Sequence, residues 1–233
     1  MNSVDVIKEL KLLANPLKAK ILQRFFKTGK GEYAEGDKFL GITVSAQRVV
    51  AKKYINLNLN DVRKLLVSGM HEHRFVALEI LVFKYENAKE KEKGEIVKFY
   101  LKNKKNINNW DLVDTSAPYI LGDYLLKQDR SVLYKLVKSK TLWDRRIAII
   151  STFAFIRNND FKDTLKLARI LLPDKHDLIH KAVGWMLREV GKKSEPTLEK
   201  FLNENITNMP RTTLRYSIER LRDDKRKMYL SIK

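Results

Sequence analysis

Residues 177–190, DLIHKAVGWMLREV, decide the fold class. Ile179, Ala182, Val183, Met186, Leu187 and Val190 recur at intervals of three and four, which puts them on one side of an α-helix. Asp177, Lys181, Trp185 and Arg188 form the polar stripe opposite. Working outward, the same spacing returns at Ile147, Ile150 and Ala154, whereas strand-like alternation is hard to find. Pro16, the glycines of 29–41, Gly69, Gly94, Pro173, Gly191 with Pro196, and Pro210 separate periodic stretches one or two helices long. The chain is predicted to be all-α.

Aligning the starts of alternate helices exposes a period. Arg74 in HEHRFVALEI, Asp111 in NNWDLVDTSA, Arg145 in LWDRRIAII, Lys181 in LIHKAVGWML and Arg211 in MPRTTLRYSI are separated by 37, 34, 36 and 30 residues. A two-helix unit repeating at about 30 to 45 residues is the signature of a HEAT- or TPR-like α-solenoid, a superhelix whose stacked pairs offer a concave surface. The expected organisation is one repeat domain over 1–233, with N-terminal helices over 3–26, a glycine-rich loop over 27–41 and repeats over about 43–222. That loop, KTGKGEYAEGDKFLG, lacks the Gly-Lys-Ser/Thr ending and the preceding strand of a P-loop, and reads as a connection or a contact to a DNA backbone.

Forty-seven Lys and Arg against 28 Asp and Glu leave a net charge of +19, which implies a polyanionic partner. Nucleic acid comes first. A membrane is disfavoured, because there is no run of about 18 apolar residues, no signal-peptide pattern and no basic cluster beside an apolar anchor. The absence of Cys removes disulfides, thiolate metal sites and Cys nucleophiles. A cytoplasmic monomer without cofactor is expected, its basic surface cradling duplex DNA.

Three positions resist a purely structural role. Trp185, flanked by Lys181 and Arg188 on a polar stripe, either faces a ligand or is covered by the next repeat. Trp110 and Asp114 are four apart and share a helix face. A carboxylate beside an indole is electrostatically wrong for simple polyanion binding, so Asp114 is a candidate for chemistry, with a cap or a salt bridge as the alternative. Pro118 cannot donate to the Asp114 carbonyl and interrupts the helix there. Trp143 sits with Ile147 and Ile150 and reads as core. Arg145 and Arg146 open the same helix and suit a phosphate, one of them being a solvated surface residue. His176 and His180 have i, i+4 spacing but no catalytic Glu and no third ligand, and His71 and His73 diverge, so no metal site is expected.

In that order and about 35 to 40 residues apart, NNWDLVD, LWDRRIAI and KAVGWMLRE resemble the AlkD-like family of HEAT-repeat DNA alkylation-repair glycosylases, over about residues 15–222. The resemblance implies that Asp114 is the catalytic carboxylate, that Trp110 and Trp185 are its two tryptophans, and that Arg146 contacts a phosphate. Arg145, Lys181, Arg188 and Arg211 are the accompanying candidates for DNA contact. A tyrosine that touches DNA in the family falls on Phe25. The implied activity is excision of cationic alkylated purines, of the 3-methyladenine and 7-methylguanine type, from duplex DNA without base flipping. A non-catalytic DNA-binding solenoid and a protein-interaction solenoid for acidic partners are the alternatives.

Overall fold

A computed structural model describes residues 1–232. Among them the architecture is all-α, the one β pairing being an isolated bridge between Lys38 and Met70. The chain divides into two compact units, Met1–Ser116 and Ala117–Lys233. The first holds α1 (Ser3–Leu12), α2 (Pro16–Phe25), α3 (Val44–Lys53), α4 (Leu59–Leu66), α5 (His71–Glu86), α6 (Glu90–Asn103) and α7 (Trp110–Asp114). The second opens with a π-turn over Pro118–Gly122. It continues with α8 (Ser131–Leu136), α9 (Leu142–Ser151), α10 (Phe153–Arg157), α11 (Lys162–Leu171), α12 (Asp177–Lys193), α13 (Glu195–Asn205), α14 (Arg211–Ser217) and α15 (Asp223–Ser231).

Local chemistry sets the starts of these helices. Asn2, Asn15, Thr43 and Asn58 each turn a side-chain oxygen onto the free N–H groups of α1 to α4, and Pro16 follows Asn15 at the first helical position, where its missing N–H costs nothing. Helices α5, α7, α9, α12 and α14 begin at His71, Trp110, Leu142, Asp177 and Arg211, at or up to four residues before the starts read from the repeat alignment. The helix starts expected from the alignment are thus present.

Each unit has one central helix. In the first, α5 is buried on every side from His71 to Val82 and packs on α3 and α4. In the second, α12 packs on α9, α11, α13 and α14 through the apolar stripe of 177–190. Gly184 permits the α12–α14 approach: a Cβ there would lie 2.4 Å from Cβ of Tyr216 and 2.7 Å from the Thr213 carbonyl oxygen. Pro118 acts as expected. With no N–H to offer Asp114, it ends α7 there, and the chain continues in a π-turn in which the Gly122 N–H reaches the Ala117 carbonyl at 2.9 Å.

Candidate catalytic and nucleic-acid site

Helix α7 carries Trp110 and Asp114 at its two ends, one turn apart. Five residues cannot hold a helix by propagation alone, so its start is fixed by side chains. Asn109 is fully buried; its Oδ1 accepts from the Trp110 N–H at 2.8 Å, and its Nδ2 donates to Asp37 Oδ2 at 3.2 Å. Asp111 accepts from the Leu112 N–H at 2.9 Å with one oxygen and meets His71 Nε2 at 2.8 Å with the other. At the far end, Thr115 donates to Glu79, and Ser116 donates to the Leu112 carbonyl at 2.6 Å while bonding Tyr100 at 3.0 Å. Burial pushes the Tyr100 hydroxyl well above its ordinary pKa, and the negative charge of Asp114 acts in the same direction. Asp114 itself is half-buried.

Trp110 is oriented by rings. One face stacks on Phe26, with centroids 5.1 Å apart and planes 17° from parallel, and Phe25 meets it edge-on at 5.9 Å. Phe26 in turn stacks on Phe39 at 5.0 Å, and Phe39 on the His71 imidazole at 4.5 Å. The rings of Phe26 and Phe39 lie at the two ends of the glycine-rich stretch 27–41, with Ala34 buried between them. This segment is therefore a folded part of the first unit and not merely a connection.

What ties it down is the quartet HEHR at 71–74. His71 Nδ1 meets Asp37 Oδ2 at 3.2 Å; Glu72 accepts the backbone N–H groups of Leu40, Gly41 and Ile42; His73 bonds Ser68; and Arg74 donates to Asp37 Oδ1 at 2.6 Å and to the Ser68 carbonyl. Gly41 is obligatory here, with φ of +82° and the Asn15 carbonyl oxygen 2.1 Å from where a Cβ would stand. Asp37 receives three donors in a buried site. Burial would raise its pKa, but the bond from His71 and the charge of Arg74 outweigh burial and hold the carboxyl below its ordinary range.

In the second unit Trp185 is half-buried, its ring 6.0 Å from that of Phe153 and its Nε1–H donating to Glu189 at 3.2 Å. Arg188 and Lys192 converge on the same Glu189 carboxylate, and Arg188 also pairs with Glu219. Arg145 pairs with Asp174 at 2.6 Å and donates to the Ser139 and Lys140 carbonyls. Arg146, expected with Arg145 to suit a phosphate, is the enclosed one of the two. It is 4% exposed, and its guanidinium donates to the Leu178 carbonyl at 2.5 Å, because α9 is buried on nearly all sides. Lys181 pairs with Asp177 at 2.8 Å, and Arg211 caps the carbonyls of Leu230 and Ile232. Trp143 is core, as its spacing predicts.

The structure thus sets Phe25 against Trp110, with Asp114 at the other end of the same helix in the first unit, and Trp185 and Arg188 on one Glu189 carboxylate in the second. Sequence reasoning passed over Asp37, His71, Arg74 and Asp111. The one signal available was four consecutive polar residues heading a helix whose next eight residues, 75–82, are apolar except for Glu79. His176 accepts the Leu178 N–H at the start of α12, and His180 bonds the Asp174 carbonyl. Among the described residues no cluster of three or more His, Asp or Glu is placed to hold a metal, and no helix is long and apolar enough to cross a membrane.

A solved structure described as a predicted DNA alkylation repair enzyme from Enterococcus faecalis has the same fold, with a TM-score of 0.71 at 16% identity over 90% of this chain and 97% of that one. No curated protein matches the sequence. The family model for DNA alkylation repair enzymes matches residues 6–221, and over that span, nearly the whole chain, the protein belongs to the DNA alkylation repair enzyme family.

Proposed function

We propose that the protein is a DNA glycosylase that removes cationic alkylated purines from duplex DNA by hydrolysis of the N-glycosidic bond. The observation that carries this reading is α7 itself: within a chain of this family, a half-buried carboxylate, Asp114, stands one turn from an indole held by stacked rings. A purine alkylated at N3 or N7 already bears positive charge, so its bond to the sugar is weak without an acid to protonate it. As the C1′–N bond breaks, the bond pair leaves with the base, which becomes neutral, and positive charge passes to the sugar. A carboxylate stabilises that charge, orients the water whose oxygen bonds to C1′, and takes up the proton that this water loses before passing it to solvent. Asp114 takes this role. Trp110 is assigned a π contact with the cationic sugar, worth on the order of 0.5 to 2 kcal/mol. By family resemblance Trp185 is assigned a second π face and Arg146 a phosphate contact, for which its enclosed guanidinium has to give up the Leu178 carbonyl.

The test is release of 7-methylguanine and 3-methyladenine from methylated duplex by wild type beside Asp114→Asn. Wild type is expected to release base, and Asn, which keeps the shape but not the charge, to lose at least roughly a hundredfold in rate with DNA binding retained. No release by wild type at high enzyme would leave a DNA-binding protein without this chemistry. Equal rates in the two proteins would remove Asp114 from the mechanism.

A further inference from the structure

The loop over 27–41, the start of α5 and the start of α7 meet at one buried group of charges. Asp37 comes from the loop, His71 and Arg74 from α5, and Asn109 and Asp111 bracket the first residue of α7. His71 is 2% exposed and bridges the two carboxylates, 3.2 Å from Asp37 and 2.8 Å from Asp111. With the imidazole protonated, two cations face two anions. Apart from the edge contact of Phe25, the contacts that orient Trp110 belong to this assembly: the Asn109 cap held by Asp37, and the Phe26 ring, which packs with Phe39 and His71 in a cluster of three mutually touching rings.

We propose that Asp37 and the protonated His71 are positioning residues, whose ion pair fixes the direction in which α7 presents Trp110 and Asp114. The proposal rests on the reading of α7 as the catalytic helix. It gives the glycine-rich loop a role: the loop carries the acceptor on which the start of that helix is registered. The groups facing His71 are Asp37 from the loop, Asp111 from α7, Glu72 and Arg74 from α5, and Lys18 of α2 across a cavity of about 230 Å³ that His71, Glu72 and Asp111 also line. Glu72 is taken up by three backbone N–H groups, which leaves Asp37 and Asp111 as the direct partners of the ring.

The pH dependence follows. Burial would lower the His71 pKa, but the charge of Asp111 and the bonds to Asp111 and Asp37 outweigh it and push it up to about 9, above the ordinary 6.5. A group raised in the folded state contributes fully below its ordinary pKa and loses that contribution as pH rises through the folded value. The clamp is therefore whole at neutral pH and released near pH 9. Removing the Asp37 charge weakens the hold on the proton and moves that release to lower pH.

The experiment is fluorine NMR on the full chain, with fluorotryptophan at its three tryptophans and the Trp110 signal assigned by its loss in Trp110→Phe. In wild type the Trp110 signal is expected to titrate with a midpoint near about 9, and in Asp37→Asn at least about one unit lower. A Trp110 signal indifferent to pH in wild type, or an unchanged midpoint in Asp37→Asn, overturns the proposal. Should Asp37→Asn not fold, the wild-type titration decides. Single-turnover base release at neutral pH supplies the second readout: Asp37→Asn is expected to slow the maximal rate roughly tenfold or more with DNA affinity little changed, as a small misplacement of a catalytic group does. A rate equal to wild type counts against positioning. If wild type releases no base, the glycosylase reading fails by itself, while the fluorine titration still decides whether the ion pair positions α7.

Discussion

Phe25 is 62% exposed, with its edge against Trp110 and its outer rim open. Phe25→Tyr adds a hydroxyl on that rim without disturbing a buried contact, so folding stability should stay within about 0.5 kcal/mol. Affinity for methylated duplex, measured by fluorescence anisotropy, is expected to rise by a factor of about 2 to 10, the worth of one hydrogen bond; unchanged affinity would mean that this ring does not face DNA. Single residues were legible in the sequence when they broke a stripe. Trp185 stands out on the polar side of α12, and Asp114 does so beside Trp110 in a strongly basic chain. Asp37, His71 and Asp111 break no stripe. Each finds its partner 34 or 40 positions away, a distance at which no periodicity speaks. The enclosure of Arg146 was not legible either: its guanidinium donates to the Leu178 carbonyl, a partner 32 positions away.

At the scale of elements, α12 was the most legible, because seventeen residues with one apolar stripe leave little freedom in how the helix packs. Its glycine was not. Gly184 stands beside Trp185 within the buried stripe, and only the approach of α14 shows why a side chain is excluded there. Gly184→Ala has to push Tyr216 and the Thr213 backbone away, which is expected to cost about 1 to 3 kcal/mol by overpacking even though Ala is the better helix former. Urea unfolding should show the loss as a lower midpoint with an unchanged slope; a midpoint at or above wild type would show that α14 yields freely. Helix α7 lies at the other extreme. It is too short to have a period, and the sequence marked it only by Trp110, Asp114 and the coming Pro118, whereas its placement depends on Asn109 and Asp111 reaching outside it.

For the molecule as a whole, the excess of 47 basic over 28 acidic side chains was read as a polyanion partner, and membership of a DNA alkylation repair family agrees with that reading. The structure refines where the charge is spent. Arg74, Arg145 and Arg188 pair with carboxylates or carbonyls of their own unit, which reduces the net charge that their surroundings offer a polyanion. Affinity for undamaged duplex is expected to fall linearly in log–log against salt, losing about a thousandfold between roughly 50 and 200 mM if six phosphates are neutralised; affinity indifferent to salt would favour an acidic protein partner. The buried charges at the start of α5 and α7 also constrain how such a chain drifts. Loss of Asp37 alone takes the carboxylate partner from the buried guanidinium of Arg74 and one of two from His71, which keeps Asp111, at a cost of up to about 3 to 5 kcal/mol; loss of either cation alone leaves Asp37 with the other cation and Asn109. No single substitution crosses that barrier cheaply. Positions 37, 71, 74, 109 and 111, scattered over three segments, therefore form one energetic unit, in which the cost of a substitution at one position depends on what stands at the others.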